Sequence, residues 1–140
     1  MSLRARLLSV GPSDPRTSLG MLALRLGFGG LMIVRHGWGK LSSFADKKDS
    51  FPDPLGVGSE LSLALACFGE VVAPLLLILG LGTRLASVPA AFTMAVAAFV
   101  VHAGDPLAKK EMAILYLVAF AAIGLVGPGR WSLDKALGGR

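Results

Sequence analysis

The chain has 140 residues, enough for one domain, with 54% hydrophobic and only 16% charged residues, against roughly 25% charged in an ordinary soluble domain. With a mean hydropathy of +0.67, that is the balance of a membrane protein. One cysteine, Cys67, and two histidines exclude an intrachain disulfide, a CxxC redox pair and a four-ligand Cys/His zinc site. The net charge of +5 comes from basic residues scattered over termini and short loops, with no stripe to bind nucleic acid.

In chain order, the basic start MSLRARLLSV has too short an apolar run before Gly11 and Pro12, and no small-residue cleavage site, so it is expected to be retained. Crossing a hydrocarbon core of ~30 Å takes ~20 mostly apolar residues. Four such runs follow, and they predict an all-α, integral membrane four-helix bundle forming a single domain over 1–140, with both termini on the same side. The first runs from about Leu19 to Leu41, with Asp14 as N-cap and Pro15 at the first helical position. The second, about Leu61 to Leu81, has Glu70 as its single charge. Gly80, Gly82 and Thr83 make a tight turn into the third, about Arg84 to His102. The fourth, about Met112 to Val126, stops at Gly127, Pro128 and Gly129. Ser132 then caps a short helix to Leu137, and Trp38 and Trp131 sit at opposite membrane faces. Between the first two spans, Ser42 to Gly58 is polar, with Phe44 and Phe51 able to dip into the headgroups.

Seven Lys and Arg fall on the terminal side and five on the other, which favours cytoplasmic termini in a multi-pass protein of the inner (plasma) membrane. A charge at mid-membrane costs ~2.5 to 3.5 kcal/mol on insertion scales, so each one present needs a partner or a task. Glu70 lies ~14 Å into its span at 1.5 Å per residue. Pro74, four residues on, removes the N–H that the Glu70 carbonyl would accept from. The residue is read either as a ligand-facing acid or as the partner of an arginine in the first span. At ~100° per residue Arg25, Gly29, Met32 and His36 share one inward face. Arg84, Val88, Ala91, Ala95, Ala98 and His102 share another, where small side chains permit close helix contact.

His36 and His102 both end spans on the side opposite the termini, and Glu111 opens the fourth there. The expected cluster is therefore His36, Glu70 and His102 as the proton-handling set, with Glu111, Arg35 and Lys40 around it and Arg25 on the same face as ligand-binding groups. Two histidines and a carboxylate are also a metal-ligand set, but lone histidines at helix ends more often make interfacial hydrogen bonds, so no metal is expected. Cys67 is read as a small apolar residue. Gly27, Gly29, Gly30, Gly37 and Gly39 have no strand before them, so they are read as helix-packing glycines rather than a phosphate loop.

The run RHGWGKL (Arg35 to Leu41), Glu70, GLGTRLA (Gly80 to Ala86), His102 and GPGRWSLD (Gly127 to Asp134) together resemble the DoxX family of four-helix membrane proteins, over about Leu19 to Asp134. The resemblance implies the fold, and it implies importance for His36, Gly37, Lys40, Glu70, Thr83, Arg84, His102, Gly127, Pro128, Gly129, Ser132 and Asp134. Named members resemble subunits of quinone-reducing sulfur oxidoreductases, and others are associated with redox-stress complexes. Of these residues Arg84, Gly127, Pro128 and Gly129, together with Pro74, are read as structural.

Three functions fit. The first is a membrane subunit of a quinone-linked redox system that binds a quinone-like molecule between helices. Its electrons would come from a soluble redox partner, because no flavin, haem or iron–sulfur pattern is present. The second is a non-enzymatic scaffold or assembly factor whose Ser42 to Gly58 loop docks such a partner. The third is a small transporter, although no inverted repeat is evident. A homodimer is also expected of so small a bundle.

Overall fold

The computed structural model describes residues 9–138, so the retained start falls mostly outside it. The described residues form helices and no strands: α1 (Pro15–Ser42), α2 (Phe44–Lys47), α3 (Ser59–Leu79), α4 (Thr83–Val101), α5 (Leu107–Val126) and α6 (Leu133–Ala136). Three of them, α1, α3 and α4, are long and apolar enough to cross a membrane. The fourth long helix, α5, starts five residues earlier than the apolar run, because Lys109, Lys110 and Glu111 lie in its first turns.

Local chemistry sets the helix ends. The Asp14 carboxylate accepts from the Thr17 backbone N–H at 2.8 Å, and Pro15 opens α1, whose missing N–H costs nothing at that position. The turn between α3 and α4 puts Gly80 at φ +68°, and a β-carbon there would also press on Ser132 and the Arg25 guanidinium. Ser132 caps α6 by accepting from the Lys135 N–H.

Helix α1 packs on α3, α3 on α4, α4 on α5, and α5 back on α1. The core between them is made of methionines, aliphatic and small residues and two aromatic rings, among them Met21, Met32, Leu77, Ala90, Met94, Tyr116 and Phe120. Outside, large apolar chains are exposed on every long helix, for example Val34 at 72%, Phe99 at 58% and Leu125 at 79%. In water that would be a large unsatisfied apolar surface, so the medium around these helices is lipid.

Close approach depends on particular glycines. A β-carbon at Gly37 would collide with the Glu70 carbonyl, one at Gly69 with the Thr93 hydroxyl, and one at Gly124 with the Ser87 hydroxyl. Gly29 likewise sits against Ile78. Gly20, Gly27, Gly30 and Gly39 face open space among the described residues, so the packing role belongs to only two of the six glycines in that helix. The inward face of α1 is as the spacing predicts, with Arg25, Gly29 and Met32 buried and His36 half-buried. The stripe on α4 is rotated from the expected one. Thr83, Ala86, Ser87, Ala90, Met94 and Ala98 are buried, whereas Val88 is 64% exposed, because α4 must face both α3 and α5 with one small-residue surface.

Three of the long helices contain a five-residue widened turn, at Ile33–Gly37, Phe68–Val72 and Ala97–Val101. Such π-type insertions shift the helix face by one residue and recur at functional sites. Here the first carries His36, the second Glu70, and the third is followed directly by His102.

Candidate functional site

At one end of the molecule the buried and half-buried ionisable side chains Arg25, Arg84 and Asp134 are tied to backbone. Arg25 is 1% exposed, and its guanidinium donates to the carbonyls of Leu77 (2.7 Å), Ile78 (3.0 Å), Pro128 (2.7 Å) and Trp131 (2.9 Å). A planar fork of donors suits this task, since it closes the C-terminal carbonyls of α3 and the turn after α5 with one charge. Arg84 does the same for α5, donating to Gly124, Leu125 and Val126 at its C-terminus, where a cation also meets the negative end of the helix dipole. The Asp134 carboxylate accepts from the Gly82 and Thr83 N–H groups and so caps α4. Gly127 and Gly129, both at positive φ, carry the chain around the buried Pro128, and the Gly129 N–H donates to Val10. Arg25 therefore stands apart from the expected ligand cluster.

At the other end ionisable side chains meet each other. The Lys40 ammonium lies 2.6 Å from Glu70 Oε2, with the Glu70 side chain 7% and the Lys40 side chain 26% exposed. Glu70 thus faces the interior and pairs with the first helix, as its depth requires, but its partner is Lys40 and not an arginine. The Glu70 carbonyl lies against α1 at Gly37.

Two cavities open beside this pair. The first, about 330 Å³, lies between α3, α4 and the loop after α2. Its walls are mostly apolar (Leu65, Phe68, Phe92, Val96), and its polar groups are Lys40, Glu70, His102, Ser62 and Thr93. The second, about 430 Å³, is lined by Arg35, His36, Lys40 and Lys47 with Ser50 and Phe51. Lys40, Phe51 and Pro52 belong to both. His36 lies edge-on to Tyr116 with centroids 5.5 Å apart, and Tyr116 continues the stack to Phe28 and Phe120. Of the expected cluster, then, Glu70, Lys40 and His102 share one cavity, while His36 and Arg35 line its neighbour. Glu111 is exposed at the start of α5 and lines neither.

Two features of this end are invisible in the helical periodicity. Asp105 Oδ2 lies 2.7 Å from His102 Nδ1, and this hydrogen bond holds the Asp105 carboxyl below the usual carboxylate range. An ionised carboxylate can only accept, so Nδ1 donates and Nε2 is the nitrogen left for the cavity. The i, i+3 spacing of His102 and Asp105 is the one signal that could have marked the pair.

The second feature is the loop. Phe51, Pro52, Pro54 and Leu55 line the first cavity. Asp53 fastens them by accepting from Val57 N–H, Gly58 N–H and the Ser62 hydroxyl, each at 2.8 Å. Those bonds hold its carboxyl below its ordinary range, led by the Ser62 hydroxyl.

No three His, Cys, Asp or Glu side chains converge in a metal-holding arrangement among the described residues. Comparison with curated proteins and with solved structures gave no match. The model of the DoxX family matches residues 20–103, which takes in Lys40, Glu70 and His102. More than half of the chain is covered by that match, and the protein belongs to the DoxX family of membrane proteins.

Proposed function

We propose that this protein is the membrane subunit of a quinone-linked redox system and that it holds a quinone-like headgroup in the cavity of Lys40, Glu70 and His102. The observation that carries the reading is that cavity itself. It is about 330 Å³, apolar for most of its wall, with a buried ion pair and a carboxylate-oriented histidine among its polar groups. Ligand sites of ~300 to 1,000 Å³ with a few convergent polar groups are the usual form of small-molecule sites.

A quinone supplies two carbonyl oxygens that accept hydrogen bonds and become hydroxyls on taking up two electrons and two protons. Lys40 can donate to such oxygens, and the His102 Nε2 can do so when the ring is protonated. Glu70 and His102 are the groups able to carry protons, with Asp105 supporting the charged imidazole. His36, on the other side of Lys40, opens onto the wetter cavity and is the proton's next station. The electrons come from a soluble partner.

The same reading takes α5 as a fourth span, its basic first turns at the interface, which makes a membrane four-helix bundle. Both described ends then lie on the face of Arg25 and Arg84, supported by the Gly129–Val10 hydrogen bond and by Asp134 at the start of α4. The count of basic residues supports placing that face in the cytoplasm.

Equilibrium binding of a short-chain quinol to the purified protein tests the proposal. Glu70→Gln and His102→Ala are each expected to weaken it by ~1 to 3 kcal/mol, the loss when a buried polar partner goes unpaired. Undetectable binding in the presence of a native partner would replace the reading with the scaffold one, in which Lys47 and Lys48 matter instead.

A further inference from the structure

The second cavity has a charge problem that the quinone reading leaves open. Its wall carries Arg35, His36, Lys40 and Lys47 and no carboxylate. Lys40 is shared with Glu70. Lys47 reaches only the Gly39 carbonyl, at 3.5 Å. Arg35 is exposed and makes no hydrogen bond or ion pair with any described residue. Converging cations repel one another unless an anion lies between them, and a bare guanidinium beside a hydroxyl such as Ser50 is suited to phosphate oxygens.

What lies next to the cavity indicates which anion. On the same helix Leu31, Val34, Trp38 and Leu41 form an exposed stripe, at 56%, 72%, 59% and 43%, spaced by three and four residues so that they share the lipid-facing side. The stripe ends level with the cations, with Trp38 at the junction as an interfacial tryptophan would be. A molecule with a phosphate in the cavity and hydrocarbon chains along α1 satisfies both surfaces at once.

We infer that this cavity is a headgroup site for an anionic phospholipid, with the phosphate held by Arg35 and Lys47 and assisted by His36 and Lys40. Because Lys40 lines both cavities, the phosphate and Glu70 compete for one ammonium. The inference needs the membrane setting but not the quinone.

Native mass spectrometry of the purified full chain with phosphatidylglycerol, or with phosphatidylcholine of the same acyl length, tests it. Phosphatidylglycerol is expected to bind at least ~10-fold more tightly, with Arg35→Gln and Lys47→Gln each weakening it by ~5-fold, the usual worth of one interfacial cation. Glu70→Gln should strengthen it, by freeing Lys40. The controls Lys109→Gln and Lys110→Gln, cations of the same end that line neither cavity, should leave it within about twofold. Thermal unfolding of each variant shows that the fold is kept. Equal binding of the two lipids, or equal losses from the controls, would overturn the inference. Binding of inorganic phosphate without any lipid preference would overturn the phospholipid assignment. Quinol binding measured on the same samples is a separate readout: its failure with the lipid preference intact rejects only the quinone reading.

Discussion

Arg25 and Lys40 are two cations on one helix, fifteen residues apart, and the chain uses them in opposite ways. Arg25 is sealed, with four backbone carbonyls around its guanidinium. Lys40 keeps a quarter of its side chain exposed and is shared between an acid and two cavities. The same contrast separates Arg84 and Asp134, which finish helix ends, from His102 and Asp105, which present a ring nitrogen to a cavity. Buried charge at the first end closes backbone that would otherwise be unsatisfied in lipid. At the second end it is paired with another ionisable side chain beside two cavities. An ionisable residue in a membrane span thus reveals its role by whether its partners are backbone or other titratable groups.

The largest expected effect comes from breaking the sealed end. Arg25→Met removes the donor to four carbonyls, and a loss of at least ~3 kcal/mol in stability is predicted, since each buried unpaired polar group costs ~1 to 3 kcal/mol. Thermal unfolding in detergent or failure of the variant to accumulate reads it out. Arg25→Lys should rescue only in part, because one ammonium cannot span the fork of acceptors.

At the open end a smaller, coupled effect is predicted. In a double-mutant cycle of Lys40→Met and Glu70→Gln, the two changes should be non-additive by ~1 to 3 kcal/mol, as expected of a largely buried ion pair. Additive losses would mean that the pair contributes nothing as a pair.

The loop that closes the cavity should respond to acid. The Asp53 carboxyl is held below its usual value, led by the Ser62 hydroxyl, so the stability it adds is present above the unfolded pKa and is lost as pH falls through the lower folded value. Protection of the Val57 and Gly58 amides from hydrogen exchange, measured relative to the intrinsic rate at each pH, should therefore be high at neutral pH and fall only below ~pH 4. Asp53→Asn should make that exchange fast at neutral pH. The smallest effect expected is at Thr83, whose buried hydroxyl has no partner among the described residues. Thr83→Val should leave stability unchanged or raise it by up to ~1 kcal/mol, because it removes an unsatisfied group at constant shape.

The two ends also differ in how much of them could be read from sequence. Features set by neighbours in the chain were legible: the Asp14 cap before Pro15, the glycine turn at Gly80 and Gly82, and the Ser132 cap of α6. So was the inward face of α1, because helical spacing alone determines it. The partners of Arg25 were not legible, since they are backbone carbonyls on segments more than fifty residues away, and a carbonyl has no sequence signature. That is why Arg25 looked like a ligand-binding group. The widened turns had no signal either, and each shifts its helix face just where His36, Glu70 and His102 are placed. The split of His36 from Glu70 and His102, with His36 against Tyr116 and on a separate cavity, depends on how the helices pack, which periodicity could not foresee. Asp105 and the fold of the loop at Phe51 carry no such signal, because both lie outside the apolar spans where helical spacing and buried charge are informative.

The central claim is that the open end, and not the sealed one, receives the ligand. Photoaffinity labelling with an azido-quinone, followed by peptide mapping, tests it most directly. Labels are predicted on the segments that line the first cavity, around Phe51 to Leu55, Leu65 to Glu70 and Phe92 to His102, with protection by excess quinol and a clear reduction in Glu70→Gln. Protectable labelling concentrated instead around Arg25, Leu81 and Trp131, unchanged by Glu70→Gln, would contradict the account.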